Sequence, residues 1–256
     1  MRELLRFEFR KLRTQKSFYI CLAVMLAMLL VSGITTKIIL NIPEIASAAE
    51  ATGDTVPATF SDFLLGFSSA SMFSMLTAIF VSIIVCTDYE SQIVKNIYAR
   101  GYSRNNHYFA KLIYAFAATT FMFLFAVIFA AIIGGALFGV GGINGKTFIL
   151  LVGQYIVCMS GVALSFAIAS IMKKLGGTIA VNILFPMIIP LLFELADTAL
   201  KLKNFKVAEV WVSSFLTSLM NPNEVAGRIV ACVLGAIAYA VAFIAVGYVI
   251  NKKSEV

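Results

Sequence analysis

Long apolar runs alternate along this chain with short stretches that hold most of its charge. A helix crossing the hydrocarbon of a bilayer needs about 20 apolar residues at 1.5 Å rise each. Runs of that kind fall at about 17–40, 63–86, 112–138, 148–172, 176–195 and 228–250. They predict six spans in one transmembrane domain covering 1–256, an all-α polytopic membrane protein.

Two of the polar stretches keep a helical period of their own. In 1–16, Leu5, Phe9 and Leu12 form an apolar stripe, with Met1 and Leu4 beside it and Arg2, Arg6, Arg10, Lys11, Arg13 and Lys16 as the basic side. The pattern predicts an in-plane amphipathic helix against anionic headgroups, or simply a positive anchor. In 88–104, Thr87 and Glu90 have the spacing of a capping box, and Tyr89, Ile93 and Ile97 recur every four residues. Gly101 then supplies a left-handed stop. A short amphipathic helix between spans 2 and 3 follows, resting on lipid or docked into a partner.

Composition agrees with the membrane class: 61% of residues are hydrophobic and 13% charged, against roughly half and a quarter in soluble domains. The first residues are too charged for a signal peptide, and no small-residue cleavage site follows the first apolar run. The net charge of +7 is distributed by topology and gives no reason to invoke nucleic acid. Lys and Arg collect at the N-terminus, in 88–111, at Lys173–Lys174 and at Lys252–Lys253, whereas the loop after span 1 carries Glu44, Glu50, Asp54 and Asp62. Positive loops stay inside, so both termini are expected in the cytoplasm and the protein in the plasma membrane. The stretch 196–227 is then an outer loop with short re-entrant elements. Its Trp211, Phe215 and Leu219 form either an interfacial helix or an aromatic belt.

Catalytic chemistry finds no footing, and no catalytic residue is assigned. The turn GGINGKT lacks the first glycine of a phosphate loop, since Val140 stands there, and it joins two spans rather than a strand and a helix. His107 is the single histidine and belongs to the loop, with no serine to activate. No metal spacing occurs, and Cys21, Cys86, Cys158 and Cys232 are far apart within the apolar runs.

The spans are almost free of charge, which argues against ion-coupled transport. They do hold small polar residues, notably Ser71, Ser74 and Ser82 in span 2 and Gln154 in span 4. These are either packing contacts or a weakly polar translocation wall. Gly135 and Gly139 have the spacing of a helix-packing motif. Pro186 and Pro190 require a kink or break in span 5, static or acting as a gate.

With this topology the chain resembles the type-2 ABC exporter permeases, six-helix membrane subunits of ATP-driven exporters. The N-terminal FEFRKLRTQKSFY resembles their in-plane elbow helix. The stretch DYESQIVKNIYARGYSRNNHYFAK resembles their cytoplasmic coupling segment, an acidic residue and short helix followed by Ser-Arg and a Lys entering span 3. It departs at Gln92–Val94, where family members often have Gly-Thr. The short single module is similar to permeases that export peptide antibiotics or give bacteriocin immunity.

The resemblance implies two separate ATP-binding subunits, which hold ATP and magnesium, no cofactor on this chain, and a second permease copy or paralogue as dimer partner. The ATPase interface would comprise Glu90, Ile93, Lys95, Ile97, Tyr98, Arg100 and Arg104. The cargo would be hydrophobic or amphipathic: an antimicrobial peptide, a lipid or a drug. Two other readings stay open. One is a non-transporting scaffold or receptor that recruits a cytoplasmic partner through 88–111. The other is a secondary carrier.

Overall fold

In the computed structural model, residues 2–42, 59–69, 71–139, 141, 144–200, 207–221 and 225–253 are described. Glu44, Glu50 and Asp54 of the loop after span 1, and the lysines at 201, 203 and 206, lie outside these residues. The described chain is helical throughout, and six helices are long and apolar enough to cross a membrane. An amphipathic helix, Arg2–Thr14, precedes span 1 at Lys16–Asn41. Span 2 comprises two helical stretches, Phe60–Ser69 and Ser71–Glu90. The loop helix is Ile93–Ala99, and span 3 runs over Arg104–Phe138. Spans 4, 5 and 6 are Gly145–Met172, Leu175–Leu200 and Ala226–Lys253. A 3-10 turn, Val207–Val210, and a short helix on the side away from the termini, Val212–Ser218 (the far-side helix), lie between spans 5 and 6.

Span 4 is the axis of the bundle, packed by spans 6, 2, 3 and 5. Over half of its most apolar stretch is buried, against 6% for span 5. Tight packing along it depends on small side chains. A Cβ at Gly247 of span 6 would stand 2.8 Å from the Tyr108 hydroxyl and 3.2 Å from the Ala167 Cα. Tyr108 occupies that junction because its hydroxyl donates to the Ile244 carbonyl at 3.0 Å.

Several local expectations are corrected. Thr87 does not cap a helix: span 2 continues through Glu90, and the loop helix starts after Gln92, which adopts a left-handed φ of 56°. Gly101, at φ 85°, is the stop expected of it. The residue packed within the glycine pair's neighbourhood is Gly134, against Phe60 and Phe63, while Gly139, at φ 78°, ends span 3. Pro186 and Pro190 do not break span 5, whose helix is assigned without interruption across both. At GGINGKT, Thr147 forms a capping box with Asn144 and starts span 4. Trp211, Phe215 and Leu219 are buried rather than belted, since the helix Val212–Ser218 folds back into the bundle. The Trp211 ring meets Phe185, Phe193 and Tyr239.

Both terminal segments lie on one side with the loop helix. Tyr102 of the segment before span 3 donates to Glu3 at 2.8 Å, and Tyr89 at the end of span 2 donates to Asn251 at 3.4 Å. We refer to this as the termini side.

Candidate functional site

The functional candidate is the loop between spans 2 and 3 with everything that holds it. Its helix has two faces. Val94 and Ile97 point inward and are buried, 1% and 8% exposed. Ile97 packs with Leu4 of the amphipathic helix and Ala110 of span 3, and Ile93, Tyr98 and Tyr102 border this cluster. Lys95, Asn96, Ala99 and Arg100 face outward and are exposed, as are Glu90 before the helix and Arg104 after it. Of the seven residues grouped from the sequence, Ile97 is therefore covered by this chain itself, and Ile93 and Tyr98 are half-buried. Burial raises the Tyr98 phenol above its usual range, against the pull of Arg104, whose guanidinium stands 5.9 Å from the ring.

The amphipathic helix is the second support. Its buried positions are Leu4, Glu8 and Leu12: Leu12 and the neighbouring Leu4 of the stripe read in the sequence are kept, Glu8 takes the place of Phe9, and Phe9 and Phe7 are exposed. Glu8 is a carboxylate in the middle of that apolar face and is tolerated because it is paired. Lys111 of span 3 donates to it at 3.0 Å and also reaches the Ile84 carbonyl at 3.2 Å. Asp88 of span 2 makes ion pairs with both Lys111 and Lys11. Two carboxylates and two ammonium groups thus form a neutral buried knot joining the amphipathic helix to spans 2 and 3. Tyr114 adds a bond to Gln15 at 3.0 Å.

The sequence places Lys111 at the entry to span 3 and Glu8 and Asp88 in two motif stretches, but assigns them no partners. The available signal is a pair of acidic residues in each of two otherwise basic stretches, Glu3 and Glu8 in one and Asp88 and Glu90 in the other. His107 also moves: it lies inside span 3, 2% exposed, with its ring edge-on to Tyr89 and Tyr98. The loop is tied to the next turn as well. Glu90 accepts from the Leu175 backbone at 2.7 Å, and the Lys173 ammonium stands 5.3 Å from the Tyr89 ring. Burial and the nearby Arg104 lower the Lys173 ammonium from its usual range.

Two of the residues considered for a translocation wall are taken up in helix packing. Gln154 is fully buried, and its amide nitrogen donates to the carbonyls of Leu65 at 2.9 Å and Leu219 at 3.2 Å. It fastens span 4 to the first helical stretch of span 2 and to the end of the far-side helix. Ser82 is also sealed, donating to Ala78 and accepting from Asn182, both at 2.7 Å. These two side chains hold helices together and line no open surface. Ser74 is half-buried, and the Ser71 side chain lies outside the described residues. A cleft of about 380 Å³ opens instead between spans 1 and 2, lined chiefly by Met25, Met28, Leu29, Phe63, Phe67 and Phe73. Among the described residues, no group of His, Cys, Asp and Glu is arranged to hold a metal.

No curated protein and no solved structure matches the chain. The family model described as ABC-2 family transporter protein matches residues 4–197, from the amphipathic helix through most of span 5. The chain belongs to that family: it is the membrane subunit of an ABC transporter, which works with a separate ATP-binding subunit.

Proposed function

We propose that the chain is the permease of an ATP-driven exporter, with the termini side in the cytoplasm and the outward face of Ile93–Ala99 seating the ATP-binding subunit. The observation that carries this reading is the division of the loop helix. A helix resting on lipid turns its apolar side to the bilayer. This one turns Val94 and Ile97 into its own chain and presents Lys95, Asn96 and Arg100. Glu90, Arg104 and the edges of Ile93 and Tyr98 complete the surface, with charges as rim contacts that steer and register the partner. Ile97 keeps the helix seated.

In the full assembly two permeases, identical or paralogous, meet two ATP-binding subunits that hold ATP and magnesium. Closure of the ATPases presses the loop helices, and the knot of Glu8, Lys11, Asp88 and Lys111 makes the amphipathic helix and spans 2 and 3 respond together. The sparsely charged spans and the apolar cleft suit a hydrophobic or amphipathic cargo such as a peptide, lipid or drug. The slender burial of span 5 leaves Pro186 and Pro190 free to flex as a gate.

The test is purification of the chain from its native membrane in mild detergent, with ATP hydrolysis assayed on what accompanies it. An ATP-binding subunit identified by mass spectrometry should accompany the parent chain and be lost from Lys95→Glu/Arg100→Glu, both exposed positions, at unchanged folded yield. Retention of the subunit by that variant would sink the docking surface. A chain that purifies alone from several detergents would favour a recruiting scaffold.

A further inference from the structure

Span 5 is the least buried of the six spans, yet its first two turns are bonded to span 2 at regular intervals. Glu90 accepts from the Leu175 backbone at 2.7 Å, the Cys86 thiol lies 3.3 Å from the Thr178 hydroxyl, and Asn182 donates to Ser82 at 2.7 Å. On span 2 the positions are 82, 86 and 90, one turn apart. On span 5 they are 182, 178 and 175, also one turn apart and in reverse order, as antiparallel helices require. Thr178 and Asn182 are buried, at 0% and 2% exposure. Asn182 donates in addition to the Ser165 carbonyl of span 4 at 3.3 Å.

We propose that these three rungs make the first half of span 5 a follower of span 2, so that force on the loop helix reaches span 5 without a contact of its own with the ATP-binding subunit. The mechanical sense rests on the docking reading above. Span 2 leads directly into the loop helix, and Glu90 stands between them. Pulling span 5 from span 2 would break the Asn182–Ser82 bond and take the Thr178 hydroxyl from its Cys86 partner in an apolar setting, which costs more than moving both helices together. Beyond the last rung the ladder ends. Pro186 and Pro190 follow within two turns, each removing a backbone donor. The first half of span 5 is thereby bonded to span 2, and the second half, whose Phe193 packs on Trp211, hinges from it. Glu90, Thr178 and Asn182 are positioning residues in this scheme.

Thr178→Cys, in a chain whose Cys21, Cys158 and Cys232 are changed to alanine, places a thiol opposite Cys86. Disulfide formation under copper phenanthroline is read by the loss of maleimide-polyethylene glycol labelling after denaturation. It is measured in resting membranes, with ATP, and after vanadate trapping. A follower crosslinks equally in all three, and the locked complex keeps its ATP turnover. Asn182→Leu removes the bonds to Ser82 and Ser165 and slows crosslinking about threefold or more, the scale of one to two membrane hydrogen bonds, with Asn182→Ser as the milder variant if the first folds poorly. A yield that falls on vanadate trapping, or turnover lost on locking and restored by dithiothreitol, overturns the proposal. The resting measurement needs no ATP-binding subunit. A resting chain that fails to crosslink therefore refutes the ladder itself, while an absent subunit refutes the docking reading.

Discussion

The termini side and the far side of this bundle solve the same problem, holding helices together without a hydrophobic driving force, with different chemistry. On the termini side four charged groups, Glu8, Lys11, Asp88 and Lys111, interlock three helices. On the far side the bonds are aromatic and aliphatic: Trp211, Phe215 and Leu219 insert between spans, and Gln154 supplies one polar clasp. The difference teaches where rigidity and adaptability are placed. An ionic knot has one satisfactory geometry and fails if a member is removed. An apolar contact slides and repacks. A rigid base beneath the loop helix and an adaptable far half are what a subunit driven from one end requires.

The comparison can be broken by substitution. The largest effect is expected for Lys111→Met, which leaves Glu8 and Asp88 buried with one cation between them. Loss of about 3–5 kcal/mol follows, seen as collapse of the thermal transition in detergent. Leu219→Ala on the far side should cost about 2–3 kcal/mol, because the side chain is fully buried but its neighbours are apolar and relax into the gap. An effect as large as that of Lys111→Met would erase the contrast between the two sides. Gln154→Leu should cost about 1 kcal/mol, the scale of membrane hydrogen bonds, measured by the same melt. Arg228→Ala removes an ion pair with Glu209 whose side chains are nearly half exposed. It should shift stability by less than about 1 kcal/mol.

The same contrast explains what the sequence made legible. The six spans were readable because apolar runs of membrane length have few alternatives, and their boundaries moved only by a few residues at most ends. The knot was not readable, because charge next to a span reads as a topological signal. Nothing local distinguishes Lys111, which turns inward, from Arg104, which does not. On the amphipathic helix one position of the buried face was misplaced, since hydropathy favours Phe9 over Glu8 and only the partner Lys111 makes Glu8 an interior residue. For Trp211 the sequence left a helix and a belt both open, because nothing local shows that the short helix Val212–Ser218 folds inward. Proline in span 5 carried a real constraint on backbone donors, but a helix can absorb it without a break.

The most direct measurement of the docking claim is site-specific photo-crosslinking in native membranes from two positions on the loop helix. A photoreactive residue at Lys95 should form adducts with a separate ATP-binding protein, and one at Ile97 should stay within the chain, reaching Leu4 or Ala110. Adducts from position 95 to lipid alone, or equal capture of the ATP-binding protein from position 97, would contradict the two-faced helix on which the proposed function rests.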